Sequence, residues 1–317
     1  MSKKILVAGG AGFIGFHLCK RLLSDKYQVI VVDNLSTGSN SNLEVLSTFT
    51  NFNFYHQDII ESFDFGHVDE IYNLACPASP SKYQKNPIHT LRTSIWGTYN
   101  LLQLAKKYQA KFLLASTSEV YGDPLVHPQT ETYWGNVNPV GVRACYDEGK
   151  RAAEALTMDF YREYGLEVKI VRIFNTYGPH MDPQDGRVVS NFITQALLNQ
   201  PLTIYGSGEQ TRSFQYIDDL IQGLVLMMAS PVGFTGPVNL GNPSEFKVLD
   251  LARLVLQLIP ESKSTLDYQP LPADDPKVRC PVITLAKEKL SWQPVVSLEE
   301  GLVKTIAYFK QQFNLVN

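Results

Sequence analysis

Two hydrophobic periods alternate along the first half of the chain. Short apolar runs at 5–8, 29–33, 70–75, 111–116 and 168–173 read as buried strands, with a weaker one at 53–56. Between them, apolar positions recur at helical spacing over 13–24, 90–108 and 146–164. Strands separated by helices predict an α/β fold, a doubly wound parallel sheet covered on both faces. After Asn175 the segments shorten, with turn signals in YGP at 177–179, YGSGEQ at 205–210 and GNPS at 241–244. Helices are expected there at 190–199, 218–229, 249–259 and 298–313. The spacing predicts a nucleotide-binding domain over 1–174, with a return segment near 214–242, and a smaller C-terminal α/β lobe over 175–317 for substrate.

Composition narrows the function classes. The 317 residues carry 28 basic and 31 acidic side chains, a net charge of −3, which gives no basic field for nucleic acid. At 44% hydrophobic and 19% charged the chain is an ordinary globular one, and no apolar run reaches the roughly eighteen residues of a membrane span. The opening MSKK leads straight into the first strand, so a cytoplasmic protein with no membrane partner is expected. Cys19, Cys76, Cys145 and Cys280 are scattered without ligand spacing, which suggests free thiols and no bound metal.

The first strand runs into GGAGFIG, in which Gly9, Gly12 and Gly15 stand three apart and Gly10, Gly12 and Gly15 satisfy GxGxxG, either one a pattern of a phosphate-binding turn. Such a turn needs a tight bend, close backbone approach to a pyrophosphate at a helix N-terminus, and a helix packed hard on its strand. Asp33 closes the second strand, where an acid can hold ribose hydroxyls and repel a 2′-phosphate, so NAD is expected over NADP. A Rossmann domain is the natural carrier. Asp58, after the third strand, is a candidate for the adenine amino group.

Tyr146 and Lys150 stand one helical turn apart in YDEGK and share a face. An ammonium beside a phenol favours the phenolate, so Lys150 is expected to lower the pKa of Tyr146 and make it a base for a hydroxyl proton during hydride transfer. The strand before them ends in STSEVYG, placing Ser116, Thr117, Ser118 and Glu119 at its C-terminal edge.

Together, the glycine turn, Asp33, STSEVYG and YDEGK resemble the NAD-dependent extended short-chain dehydrogenase/reductases that modify nucleotide sugars. The chain is most similar to the UDP-glucuronate decarboxylases among them, through PASP at 77–80, LLASTSEVYGDP at 113–124, RACYDEGKR at 143–151 and RIFNTYGP at 172–179. GRVVSNF at 186–192, YGSGEQTRSFQY at 205–216, NLGNP at 239–243 and DDPKVR at 274–279 continue the likeness. Ser118 precedes Glu119 where 4,6-dehydratases of this class carry an Asp that protonates a leaving C6 hydroxyl, and typical 4-epimerases lack the Glu as well.

The resemblance implies oxidation of UDP-glucuronate at C4, loss of CO2 from the β-keto acid, protonation at C5 and return of the hydride, giving UDP-xylose. It assigns Tyr146 as base and later acid at O4, and Lys150 as its tuner and a ribose contact. Thr117 becomes a partner of O4, Glu119 an aid to C5 protonation, and Arg279 a contact that favours a reactive ring conformation. For the dinucleotide it implies Gly9, Gly12, Phe13, Ile14, Gly15, Asp33, Asn34, Thr37, Gly38, Asp58, Ile59, Leu74, Ala75, Thr93, Ser116, Tyr146, Lys150 and Arg187. For the UDP-sugar it implies Tyr83, Arg92, Glu119, Asn175, Val189, Tyr205, Arg212 and Arg279. Ser94 stands where the family usually has Asn in NxxGT, and DNLSTGSNSNL lacks basic residues common after its TG. Related enzymes dimerise through a four-helix interface, for which the helices at 90–108 and 146–164 offer Leu101, Leu104, Leu156, Phe160 and Tyr164. The alternatives are a 4-epimerase or 4,6-dehydratase on a related UDP-sugar, and a non-catalytic NAD-binding regulator.

Overall fold

The computed structural model describes residues 2–270 and 278–315. Chain order in the first part is β1 (Lys4–Ala8), α1 (Phe13–Ser24), β2 (Gln28–Asp33), α2 (Asn40–Leu46), β3 (Phe52–His56) and β4 (Glu70–Asn73). Then come α3 (Pro80–Tyr83), α4 (Pro87–Arg92), a π turn (Thr93–Gly97), α5 (Thr98–Tyr108), β5 (Lys111–Thr117), a 3-10 turn (Ser118–Tyr121), α6 (Ala144–Tyr164) and β6 (Val168–Ile173). The rest comprises β7 (Thr176–Tyr177), α7 (Val188–Leu197), β8 (Leu202–Tyr205), β9 (Thr211–Ser213), β10 (Gln215–Tyr216), α8 (Ile217–Ala229), β11 (Val238–Leu240), β12 (Glu245–Lys247), α9 (Val248–Leu258), β13 (Leu266–Gln269), α10 (Thr284–Leu290) and α11 (Leu298–Gln312).

Seven strands form one parallel sheet in the order β11-β6-β5-β4-β1-β2-β3. The direction of winding reverses between β1 and β4, and such a switch point opens a crevice at the strands' C-terminal ends. Two cores cover the two faces. One joins β1 and β2 to α1, α7, α8 and the C-terminal helices through Phe16, Leu18, Phe192 and Leu220. The other packs Leu101, Leu104, Phe112, Phe160 and Ile170 between the sheet and the α5–α6 pair. Three two-stranded pairs, β7–β10, β9–β12 and β8–β13, build the smaller lobe above the crevice.

The predicted helix over 90–108 is interrupted. It begins at Pro87, capped by the Asn86 side chain accepting from the His89 N–H, and widens to a π turn at Thr93–Gly97. Close packing accompanies the widened turn: a Cβ on Gly97 would lie 2.4 Å from Ile59 Cδ1, and one on Gly149 would lie 3.0 Å from Ser94 Cβ. Leu101, Leu104 and Phe160, expected at a dimer interface, are instead buried inside the chain, because the α5–α6 pair needs them to cover the sheet. Exposed on those helices are Trp96, Tyr99 and Tyr164, with Leu156 partly buried. Among the described residues no helix is long and apolar enough to cross a membrane.

Candidate active site

A cavity of about 1160 Å³ opens over the switch point, walled by the sheet's C-terminal edge below and the small lobe above. On its β1 side the lining is mostly backbone. Gly9 has a φ of +80°, and a Cβ there would meet Ala75 N at 2.8 Å. A Cβ on Gly15 would sit 2.1 Å from the Gly9 carbonyl oxygen, so α1 can reach its strand only with glycine at that place. No side chain caps the α1 N-terminus and no acid lies in its first turn. That leaves the positive end of the helix facing the cavity.

Asp33 ends β2 with Oδ2 accepting from the Ala11 N–H at 3.0 Å and Oδ1 from the Leu35 N–H at 2.8 Å. Burial pushes its carboxyl above the usual range, and these two bonds oppose that. Asp58 is fully engaged within the chain: Ile60 N–H, Asn34 Nδ2 and His89 donate to it at 3.0, 2.7 and 2.8 Å. Uncapped helix end, glycine cradle and fixed acid suit a dinucleotide diphosphate and ribose.

Across the crevice the lining turns to side chains. β5 delivers Ser116 and Thr117, and α6 delivers Tyr146 and Lys150. Thr117 hydrogen-bonds Tyr146 and also accepts from the Glu119 N–H at 3.2 Å, starting the 3-10 turn. Lys150 Nζ donates to the Ala115 carbonyl at 2.8 Å. The expected depression of the Tyr146 pKa is not what this geometry produces. Burial pushes the phenol well above its usual range, with Cys76 adding to the rise and Thr117 opposing it. Burial also lowers the Lys150 ammonium, whose proton is directed to a carbonyl. Tyr83 stacks on Tyr146, ring centres 5.0 Å apart and planes 1° from parallel. Its hydroxyl is buried without a partner among the described residues. Ser116 lines the cavity, but its hydroxyl donates to Glu154 at 2.6 Å, in a pair that Arg172 grips through two nitrogens.

Glu119 is held by cations. Arg143 pairs with its Oε2, and Arg279 NH1 lies 3.5 Å from its Oε1. Burial alone would raise this carboxyl; Arg279, then Arg143, outweigh it and keep the group below its usual range. Arg279 is 2% exposed, donates to the carbonyls of Ser118 and Gly122, and keeps an Nε with no partner among the described residues. It therefore pins the turn that carries Glu119. Residues 274–277 of the DDPKVR stretch lie outside the described residues.

Phe13, Ile14, Asn34, Thr37, Gly38, Ile59, Leu74, Ala75, Thr93 and Arg187 line the cavity, as do Asn175, Val189, Tyr205 and Arg212. Arg187 is paired with Asp185. Arg92 is the exception. His89 and Thr93 face the cavity from one side of their helix, while Arg92, turned roughly 100° from Thr93, is exposed and outside the lining. Sequence reasoning missed Arg143, His89 and Asp147. The i, i+4 spacing of Arg143 and Asp147 across Tyr146 was the available signal. Ser94 lies 3.3 Å from Cys76 Sγ, and the cysteines are free thiols.

Comparison with known proteins gives a consistent picture. Residues 5–241 match the NAD dependent epimerase/dehydratase family. Over 98% of its length the chain is 53% identical to UDP-glucuronic acid decarboxylase 1 of Arabidopsis thaliana, covering 70% of that protein. It is 54% identical to UDP-glucuronic acid decarboxylase 1 of Xenopus tropicalis, over 98% of this chain and 73% of that one. Among solved structures, UDP-glucose 4-epimerase of Thermotoga maritima with UDP-glucose superposes with a TM-score of 0.89 at 34% identity, covering 98% of this chain and 99% of the other. UDP-glucuronic acid 4-epimerase of Bacillus cereus, in complex with UDP-glucuronic acid and NAD, gives 0.87 at 30% identity with the same coverage.

Proposed function

The chain belongs to the NAD dependent epimerase/dehydratase family, and we propose that it is a UDP-glucuronate decarboxylase that forms UDP-xylose and CO2. The observation that carries this reading is the Ser118-Glu119 turn, whose carboxylate is clamped by Arg279 and Arg143 beside Tyr146 and Thr117. A dehydratase needs an acid at position 118 for the departing C6 hydroxyl, and serine does not supply one. In this reading residues 1–174, with the return near 214–242, hold the dinucleotide, and residues 175–317 mainly hold the UDP-sugar.

The glycine turn at Gly9–Gly15 and Asp33 would hold NAD, which would supply a hydride acceptor and donor for C4, so that the reaction has no net redox change. Tyr146, as the phenolate, takes the O4 proton, with Thr117 favouring that form against burial; Lys150, one turn along with its ammonium on the Ala115 carbonyl, is the contact for the nicotinamide ribose. Thr117 holds O4 beside Tyr146. With a ketone at C4, the C5–C6 bond breaks and CO2 leaves; its electron pair passes into the ketone as an enolate, which polar groups at O4 stabilise. C5 then gains a proton from solvent by way of the ionised Glu119. Tyr146 returns its proton to O4 as the hydride returns to C4. Arg212 suits the substrate's anionic groups because a guanidinium is permanently charged and bidentate, whereas Arg279, with both terminal nitrogens on the Ser118 and Gly122 carbonyls, acts by holding the Glu119 turn.

Incubation with UDP-glucuronate and catalytic NAD, followed by mass analysis, tests the reading. Loss of CO2 with UDP-xylose formed supports it. Retained carbon with UDP-galacturonate formed makes the protein an epimerase. A homodimer is part of the same proposal, with Trp96, Tyr99 and Tyr164 as its exposed apolar contacts. Replacing Trp96 and Tyr99 together by glutamate should shift the sedimenting species to a monomer; an unchanged dimer contradicts this interface. A cytoplasmic location is supported by the four free thiols.

A further inference from the structure

We infer that Asp147 is a positioning residue for Glu119: through the Arg143 guanidinium that both carboxylates face, it sets how firmly Glu119 is held beside the carbon that loses CO2. The inference rests on the decarboxylase reading above and deepens it.

The geometry is specific. Asp147 directly follows Tyr146 in the first turn of α6, so its backbone is fixed relative to the phenol. Its Oδ2 lies 3.8 Å from Arg143 Nε, while Arg143 NH2 pairs with Glu119 Oε2. One guanidinium thus sits between two carboxylates of unequal hold. Asp147 is 6% exposed, and its Oδ1 is buried with no hydrogen-bond partner among the described residues. An orphaned buried carboxylate oxygen costs stability that a purely structural residue would avoid. Glu119 from the 3-10 turn, Arg279 from the pinning segment and Glu148 from the same helix also act on it. Tyr83, Cys145 and Tyr146 feel its charge in turn.

Burial, followed by the Glu119 charge, pushes the Asp147 carboxyl up to about 7. Its charge therefore changes within the working range. Neutral Asp147 leaves Arg143 to Glu119, which stays a weak base. Ionised Asp147 competes for Arg143 and adds negative charge, and the proton affinity of Glu119 rises. Glu119 can then take a proton from solvent and pass it to C5 of the enolate.

The test is Asp147→Asn in the holoenzyme with UDP-glucuronate, followed across roughly pH 5.5 to 8.5. Nicotinamide absorbance in a single turnover reports C4 oxidation; CO2 and UDP-xylose report the later steps. Oxidation should stay within about twofold of wild type, while later steps slow about tenfold and keto-sugar builds up. The inflection near neutral pH in the later steps should vanish, and Asp147→Glu should restore it. A uniform loss across both phases, or an unchanged pH profile and keto-sugar share, overturns the inference. If Asp147→Asn does not fold, the wild-type profile decides: later steps with no inflection near neutral pH overturn it. Failure of the decarboxylase reading shows separately, as wild-type protein that releases no CO2.

Discussion

The two walls of the cavity are built on different principles. The β1 wall is a backbone surface, with two glycines that admit no Cβ and an acid pinned by two amide N–H groups. The β5–α6 wall is a web of buried charge, in which Glu119, Arg143, Arg279, Asp147 and Lys150 crowd around two stacked tyrosines. The first wall fixes a shape that many sugar-nucleotide enzymes can share. In the proposed reaction the second governs which proton moves, and when. Steric change should therefore cripple the first wall at the level of binding, and charge change the second at the level of individual steps.

The largest effect should come from Tyr146→Phe. It removes the proposed proton acceptor at O4, so turnover should fall by about 10³-fold or more while NAD remains bound by equilibrium titration. Near-normal turnover would mean another group is the base. Gly15→Ala should break the opposite wall. Its methyl would collide with the Gly9 carbonyl, costing roughly 1–3 kcal/mol of stability and weakening NAD binding, with the rate at saturating NAD far less changed. Calorimetric titration separates the two. Glu119→Ala should slow the steps after oxidation by about 10²-fold, releasing 4-keto sugar with reduced cofactor; unchanged rate and products would refute its role.

The smallest effect concerns stability against pH. Folding raises the Asp147 carboxyl to about 7 from an ordinary value of 3.8, so the folded state binds that proton more tightly. The stability it brings is present below about 4 and is lost as pH rises through 7. Asp147→Asn cannot ionise there, so its unfolding midpoint should gain on wild type between pH 5 and 8. A gap independent of pH would show that folded Asp147 holds no proton over that range.

The same contrast explains what the chain disclosed as sequence. The strand–helix alternation, the glycine turn and Asp33 depend on local backbone rules, and the seven-stranded parallel sheet follows them. The interruption at Thr93–Gly97 was hidden, because π widening there accompanies Gly97 packing on Ile59 and Gly149 packing on Ser94, contacts between distant segments. Arg279 read as a contact for the sugar; its burial arises from carbonyls at Ser118 and Gly122, some 160 residues earlier. The phenol's upward shift was misjudged for a related reason: helical spacing places Lys150 near Tyr146, but cannot show that the ammonium points at Ala115. Arg92 looked like an anion contact until the helix showed its phase.

The central claim is that one hydrogen leaves C4 and returns to it while CO2 departs. UDP-glucuronate deuterated at C4, turned over with unlabelled NAD, tests it most directly. The account predicts UDP-xylose that has lost CO2 and keeps the deuterium at C4. Decarboxylated product with that deuterium lost to solvent, or a product that keeps its carboxylate, would contradict it.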